Sequence, residues 1–250
     1  RLSHLFEYCS SLSSLDISNF DTKNVESMAY MFSKCESLKV LDINFETSKV
    51  TDMSNMFRDV KLLESLKLTD FATPLVTDFS AMFYGCEKLK ELNLENFRTL
   101  NAKDMSQMFY GCSSLSSLQQ KFQVDGVTDL TSMFQGCQAL SSLDLSNFRT
   151  RSLSEAKSLF YGCSKLRNLD VSNFDTAKLT NMDYMFYKCS SLTSLDLSSF
   201  ETKNVKSMQF MFNSCSSLGE LKLTKFNTTN CETFTSMFTG VKSLNLTVKL

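Results

Sequence analysis

Nine cysteines, one histidine and 27 carboxylates are the residues of this 250-residue chain that could do chemistry. Their spacing decides which chemistry. Cys9, Cys35, Cys86, Cys112, Cys137, Cys163, Cys189 and Cys215 fall in one register of a repeat of 25 or 26 residues. A zinc site needs close cysteine pairs that converge on one ion, whereas side chains one repeat apart run parallel, so no metal is expected. Neighbouring rungs lie close enough for disulfides. However, Val60 and Val241 occupy the same register, and Cys231 stands where other repeats carry valine. That interchange describes a small apolar slot holding free, buried thiols, and a native protein that resists thiol reagents.

His4 is the only histidine, which removes histidine triads and the HExxH zinc site. No phosphate-cradling glycine motif is present, and no cofactor is expected. The organised carboxylates are Asp16, Asp42, Asp144, Asp170 and Asp196, one per repeat beside a strand. Asp144, Asp170 and Asp196 sit in consecutive repeats and should face outward, close enough to repel. They are either a site for a cation or a basic partner, or a solvated column relieved by Ser146, Ser172 and Ser198. Tyr84, Tyr110, Tyr161 and Tyr187 form a second column; tyrosine carries an apolar body and a polar tip and suits interfaces. Packing between neighbouring repeats is the equally weighted alternative. These seven residues are the candidate partner-binding positions.

The repeat that positions them is marked by Phe6, Phe32, Phe57, Phe83, Phe109, Phe134, Phe160, Phe186, Phe212 and Phe238. A fixed interval of this size is the signature of stacked repeats. Within one unit Met28, Met31, Phe32 and Cys35 follow i, i+3, i+4, i+7, the pattern of one helix face. All 13 methionines lie in the two columns of Met28 and Met31. Ser27, Asp52, Asp78, Asp104 and Asp129 precede this segment as N-cap types, and Gly85, Gly111, Gly136, Gly162 and Gly240 follow it as helix stops. A helix of about two turns is expected, too short to stand without burial. A strand follows, as in Leu140-x-x-Leu143-Asp144-Leu145, with leucines inward and aspartate outward. A second phenylalanine closes the unit at Phe20, Phe45, Phe71, Phe97, Phe122, Phe148, Phe174, Phe200 and Phe226. One residue is lost at Asn44 and one around Gln120, where a defect in the strand ladder is expected. The last copy, Leu244 to Val248, departs from the pattern as a capping turn or a boundary.

The unit Met-x-x-Met-Phe-x-x-Cys-x-x-Leu-x-x-Leu-Asp-Leu-Ser-x-Phe-x-Thr, copied closely from Asp183 to Phe200, resembles the BspA-like leucine-rich-repeat surface proteins. The resemblance spans the whole chain. It implies a leucine-rich-repeat fold on a microbial surface protein engaged in adhesion or host-factor binding, and supplies no catalytic residues. Phenylalanine stands where ordinary leucine-rich repeats carry an asparagine ladder, which argues for a stacked aromatic spine in place of an internal hydrogen-bond ladder.

The expected fold is α/β: a right-handed leucine-rich-repeat-like solenoid of about nine repeats, each with one short parallel strand and one short helix, forming one domain over residues 1–250. The chain reads as a fragment that starts inside a repeat. With 26 basic and 27 acidic residues it carries a formal charge of −1, which gives no pull toward nucleic acid. No run is long and apolar enough for direct membrane insertion. The expected role is an extracellular cell-surface interaction module whose polar concave face or tyrosine column meets a protein or glycan. The alternative is a stalk or lattice element that self-associates through exposed solenoid ends. Asn227 and Asn245 head weak glycosylation acceptor patterns.

Overall fold

The inward columns dictate a coil that repeats. A computed structural model describes residues 1–69 and 71–248 and shows successive coils stacked in parallel, with equivalent residues beneath one another. Its strands are β1 Val40–Asn44, β2 Ser65–Thr69, β3 Glu91–Leu94, β4 Ser117–Gln120, β5 Ser194–Asp196, β6 Glu220–Leu223 and β7 Asn245–Val248. β1 pairs with β2, β3 with β4, and β5 with β6 and then β7, all parallel. Leu41 lies on Leu66 and Leu92 on Leu118, so one coil buries its leucines under the next. The divergent last copy is β7, an ordinary rung on β6.

The expected helices are absent among the described residues. From Met28 to Cys35 the chain makes consecutive turns: the N–H groups of Met31, Ser33 and Cys35 donate to the carbonyls of Met28, Tyr30 and Phe32. The alternate N–H groups of Met28, Tyr30, Phe32 and Lys34 leave their own coil and donate to Asp52, Ser54, Met56 and Arg58 of the next, over 2.7–3.0 Å. An α-helix keeps every bond inside its own segment. Here half are spent on the neighbouring coil. The turns demand left-handed backbone two residues before and two after each phenylalanine, as at Tyr30 (φ 59°) and Lys34 (φ 60°). Gly85, Gly111, Gly136, Gly162 and Gly240 occupy the second of these positions, with φ between 69° and 84°. The glycines thus serve positive φ inside a chain of turns, where glycine has no Cβ penalty, and do not stop helices. A run of i→i−3 turns also returns every third or fourth side chain to one side, which is why its apolar pattern imitates a helix.

The expected N-caps keep their chemistry in a different setting. Asp52, Asp78, Asp104 and Asp129 each accept the backbone N–H two residues on, at 2.7–2.9 Å. They also bridge one another in parallel from coil to coil, and the row continues to Glu155. Side-chain oxygens of this kind compete with helix for the backbone and close Asx-turns.

Two aromatic columns fill the interior. The first runs from Phe6 to Phe238 with ring centroids 5.5–5.9 Å apart at every step. The second stacks Phe20, Phe45, Phe71 and Phe97, then resumes at Phe148, Phe174 and Phe200. Phe122, in the 25-residue repeat, turns to Phe109 of the first column instead, at 6.4 Å. The aromatic spine therefore holds, with its fault at the residue lost around Gln120, whereas the loss at Asn44 leaves Phe20 and Phe45 stacked at 6.3 Å. Gln120 completes β4, yet its side chain donates to the Asp144 carbonyl and accepts the Phe122 N–H, and no strand pairing follows on that side.

An internal hydrogen-bond ladder exists all the same, and threonine builds it. The expectation that phenylalanine displaces such a ladder is corrected by the residue two places further on. Thr73, Thr99, Thr150, Thr176 and Thr202 are buried, and each hydroxyl both donates to the carbonyl and accepts the N–H of one residue in the next coil. Thr176 does so to Glu201, at 3.0 and 2.8 Å. Val124 holds the equivalent position in its own coil, fully buried. Thr176→Val therefore keeps the shape while stranding two backbone groups. It should cost about 1–3 kcal/mol, read as a lower urea midpoint; a midpoint equal to wild type would show that the ladder is idle.

Candidate functional site

The outer face of the strands carries one polar column, in which two rungs of the sheet are joined by ion pairs. Asp42 lies opposite Lys67, joined at 3.1 Å, and β1 and β2 pair there. Asp196 lies opposite Lys222, joined at 3.0 Å, and β5 and β6 pair there. Where aspartate follows aspartate, from Asp16 to Asp42 and through Asp144, Asp170 and Asp196, no strand ladder forms between those coils among the described residues. Like charges opposite one another oppose pairing, but among the described residues the ladder is also missing from Lys67 to Asn93 and from Gln119 to Asp144, where no like charges meet. Residues 142–145 and 168–171, expected as strands, are not strands, although the turn side of the same coils stays bonded, for example from Phe160 N–H to the Met185 carbonyl at 2.9 Å.

The three carboxylates stand outward as expected, each accepting the N–H of Ser146, Ser172 or Ser198 at 2.9 Å. These hydrogen bonds hold the acids in the charged form. The Ser146 N–H and hydroxyl lower the Asp144 pKa, and the Ser172 hydroxyl and N–H lower that of Asp170 against smaller opposing effects of burial and then of Asp196. Asp196 falls to about 2 through the Ser198 hydroxyl and N–H, then Lys222. Asp170 and Asp196 come together on a cavity of about 690 Å³ bounded by Asn168, Leu169, Ser172, Ser194, Ser198 and Ser199. Asp144 lies one coil outside that lining. The serines thus relieve the column, and the opened sheet gives it a recess.

The tyrosine column is half-buried and divided. Tyr84 stacks on Tyr110 at 4.5 Å and 4°, with the Arg58 guanidinium 4.0 Å from the Tyr84 ring. Tyr161 stacks on Tyr187 at 4.6 Å. Burial, then Tyr110, raise the Tyr84 pKa. Sequence reasoning missed Tyr184 and Phe210, which lie in the left-handed turn positions beside this column and stack at 4.9 Å. Their signal was an aromatic residue at a position where most coils carry a small or polar one.

All nine cysteines are free thiols; seven are buried, Cys231 is half-buried and Cys9 is exposed. The expected resistance to thiol reagents thus fails at Cys9. Each buried thiol donates to a phenylalanine carbonyl of the preceding coil, as Cys112 does to Phe83 at 3.1 Å and Cys163 to Phe134 at 3.2 Å. His4 lies on the surface, bonded to Glu7 and stacked on Tyr30. Among the described residues no cluster of His, Cys, Asp and Glu could hold a metal ion. No helix of the described residues is long and apolar enough to cross a membrane.

Parallel coils with inward leucine and phenylalanine columns and an outward polar strand face define a leucine-rich-repeat-like solenoid. A family model described as "Mycoplasma protein of unknown function, DUF285" matches residues 1–44, 42–144 and 128–249, so the chain belongs to that family, and the BspA-like leucine-rich-repeat character of its motif holds. No curated protein matches it. Among solved structures the chain is similar to a leucine rich cell surface protein from Faecalibacterium prausnitzii A2-165, with 16% identity over 98% of this chain and 68% of that one, at a TM-score of 0.42. It is also similar to a leucine-rich repeat protein from Bacteroides ovatus ATCC 8483, with 18% identity over 98% of this chain and 80% of that one, at 0.32. A third likeness is an LRR protein from Leptospira interrogans, with 13% identity over 86% of this chain and 73% of that one, at 0.23.

Proposed function

We propose that this chain is a non-enzymatic interaction module of a microbial cell surface, and that its strand face binds a basic segment of a partner protein in an adhesive contact. The observation that carries the reading is the recess of about 690 Å³ at Asp170 and Asp196. Two exposed carboxylates on one recess suit a ligand that brings the opposite charge. Asp144, Asp170 and Asp196 are ionised at physiological pH as ordinary aspartates are, and their hydrogen bonds lower the pKa values further. The recess lacks an aromatic platform for a sugar ring, which favours a protein over a glycan. Exposed charges at this spacing act through solvent, so affinity should be modest, spread over several coils and sensitive to salt.

The test is a binding screen against basic extracellular-matrix proteins and neutral glycans at low and high salt. Binding to the basic proteins should weaken at least tenfold when Asp144, Asp170 and Asp196 are replaced together by asparagine, and should weaken with salt. Binding that ignores the triple variant would move the site off this face. Glycan binding that survives salt would replace the partner class, and oligomers without any ligand would favour the stalk.

A further inference from the structure

The tyrosine column has a missing rung, and its surroundings describe what fits there. Tyr84, Tyr110, Gln135, Tyr161 and Tyr187 occupy one register in five consecutive coils. Arg58 covers the outer face of Tyr84, and Tyr84 covers one face of Tyr110. Tyr187 covers one face of Tyr161. The remaining faces of Tyr110 and Tyr161 both look into the layer of Gln135, where a flexible side chain stands in place of a ring. The underlying phenylalanine column passes through the same three layers without interruption, at 5.5 Å from Phe109 to Phe134 and 5.9 Å from Phe134 to Phe160. The layer therefore has the depth of one stacked ring on each side. Gly111, Gly136 and Gly162 leave bare backbone along one flank, and Ser132 and Ser158 are small and buried on the other.

We propose that the Gln135 layer is a docking slot for an aromatic side chain of a partner protein, which displaces Gln135 and completes the stack from Tyr84 to Tyr187. The occupant is argued from its neighbours: four coils of this register already pack planar rings face to face at 4.5–4.6 Å. Aromatic pairs favour such offset stacking beyond their buried area, and two faces are offered at once. Tyrosine-rich surfaces with an arginine at their margin are also where interface energy concentrates. The slot lies on the turn side of the coil and does not depend on the strand-face recess, so either can fail alone.

The experiment is an NMR titration of the full chain with N-acetyl-tryptophanamide, with methyl glucoside as a second probe. The indole probe should shift the ring resonances of Tyr110 and Tyr161. Gln135→Ala should tighten it severalfold by clearing the layer. Gln135→Tyr should weaken it at least tenfold by filling the layer, with the fold retained because the same register accepts tyrosine elsewhere. No shift at millimolar probe, or an equal response from the Gln135→Tyr protein, overturns the proposal. Equal binding of the glucoside at the same rings overturns its choice of occupant.

Discussion

Phe134→Ala is expected to cost about 3–5 kcal/mol of stability, because it removes a large buried ring from a site that cannot collapse. Phe134 has no exposed surface and stacks on Phe109 at 5.5 Å and on Phe160 at 5.9 Å. The coils on either side are held at fixed spacing by the bonds from Phe109 N–H to Met133 and from Phe134 N–H to Leu159, at 2.9 and 3.0 Å. Those bonds keep the backbone from closing on the void, so the cavity term stays near its full size. The loss should also spread unevenly. In a stacked-repeat protein each unit contacts only its neighbours, and a weak layer divides the cooperative unit in two. Urea unfolding should therefore show a lower midpoint and a shallower transition than wild type. Phe134→Leu, which keeps most of the volume, should cost less than half as much. A loss below about 1 kcal/mol for the alanine variant would mean that the stack is not what holds the coils together.

The same columns explain how much could be read from the sequence. Any residue that points inward repeats at the period of the coil, so the phenylalanine, methionine, leucine and cysteine columns announce the stacking directly. The route of the backbone between those points is not encoded by apolar spacing. Met28, Met31, Phe32 and Cys35 match a helix face and a run of turns equally well, and the deciding information lies in the hydrogen bonds of Tyr30 and Lys34 to the next coil. The glycines were a signal for this, since five of them share one left-handed position. A single helix stop and a positive-φ turn call for the same residue. The threonine two places after the second phenylalanine stood in the motif, but its role depends on two hydrogen bonds to one residue a full repeat away. On the surface, the Asp144, Asp170 and Asp196 column was legible as residues. Where the sheet breaks was not, because the ladder is missing from Lys67 to Asn93 and from Gln119 to Asp144 as well as between aspartates, and no single residue type marks these places.

Raising the pH above 9 should destabilise the protein steeply, through thiols that the fold keeps protonated. Burial pushes Cys112, Cys163 and Cys215 up to about 12 and Cys35 to about 11, and raises Cys86, Cys137 and Cys189 well above the ordinary value of 9.0. Below pH 9 the thiols are protonated in both the folded and the unfolded chain, and their contribution is fully present. Between pH 9 and 12 the unfolded chain releases these protons while the folded chain retains them, so stability falls as pH rises. At pH 10 each thiol near 12 costs roughly 1–2 kcal/mol, and Cys112, Cys163 and Cys215 together about 4 kcal/mol. That is a large share of the 5–15 kcal/mol typical of folded domains. Replacing Cys112, Cys137 and Cys163 by valine, as at Val60 and Val241 of the same register, should flatten the dependence of the melting temperature on pH in this range. A second readout separates burial from basicity. At pH 8 a small thiol reagent should label Cys9 at once and Cys231 more slowly, while the seven buried thiols should react only as fast as the chain opens. Rapid labelling of all nine in the folded protein, or a melting temperature indifferent to pH from 9 to 11, would contradict a dry thiol column beneath the turns.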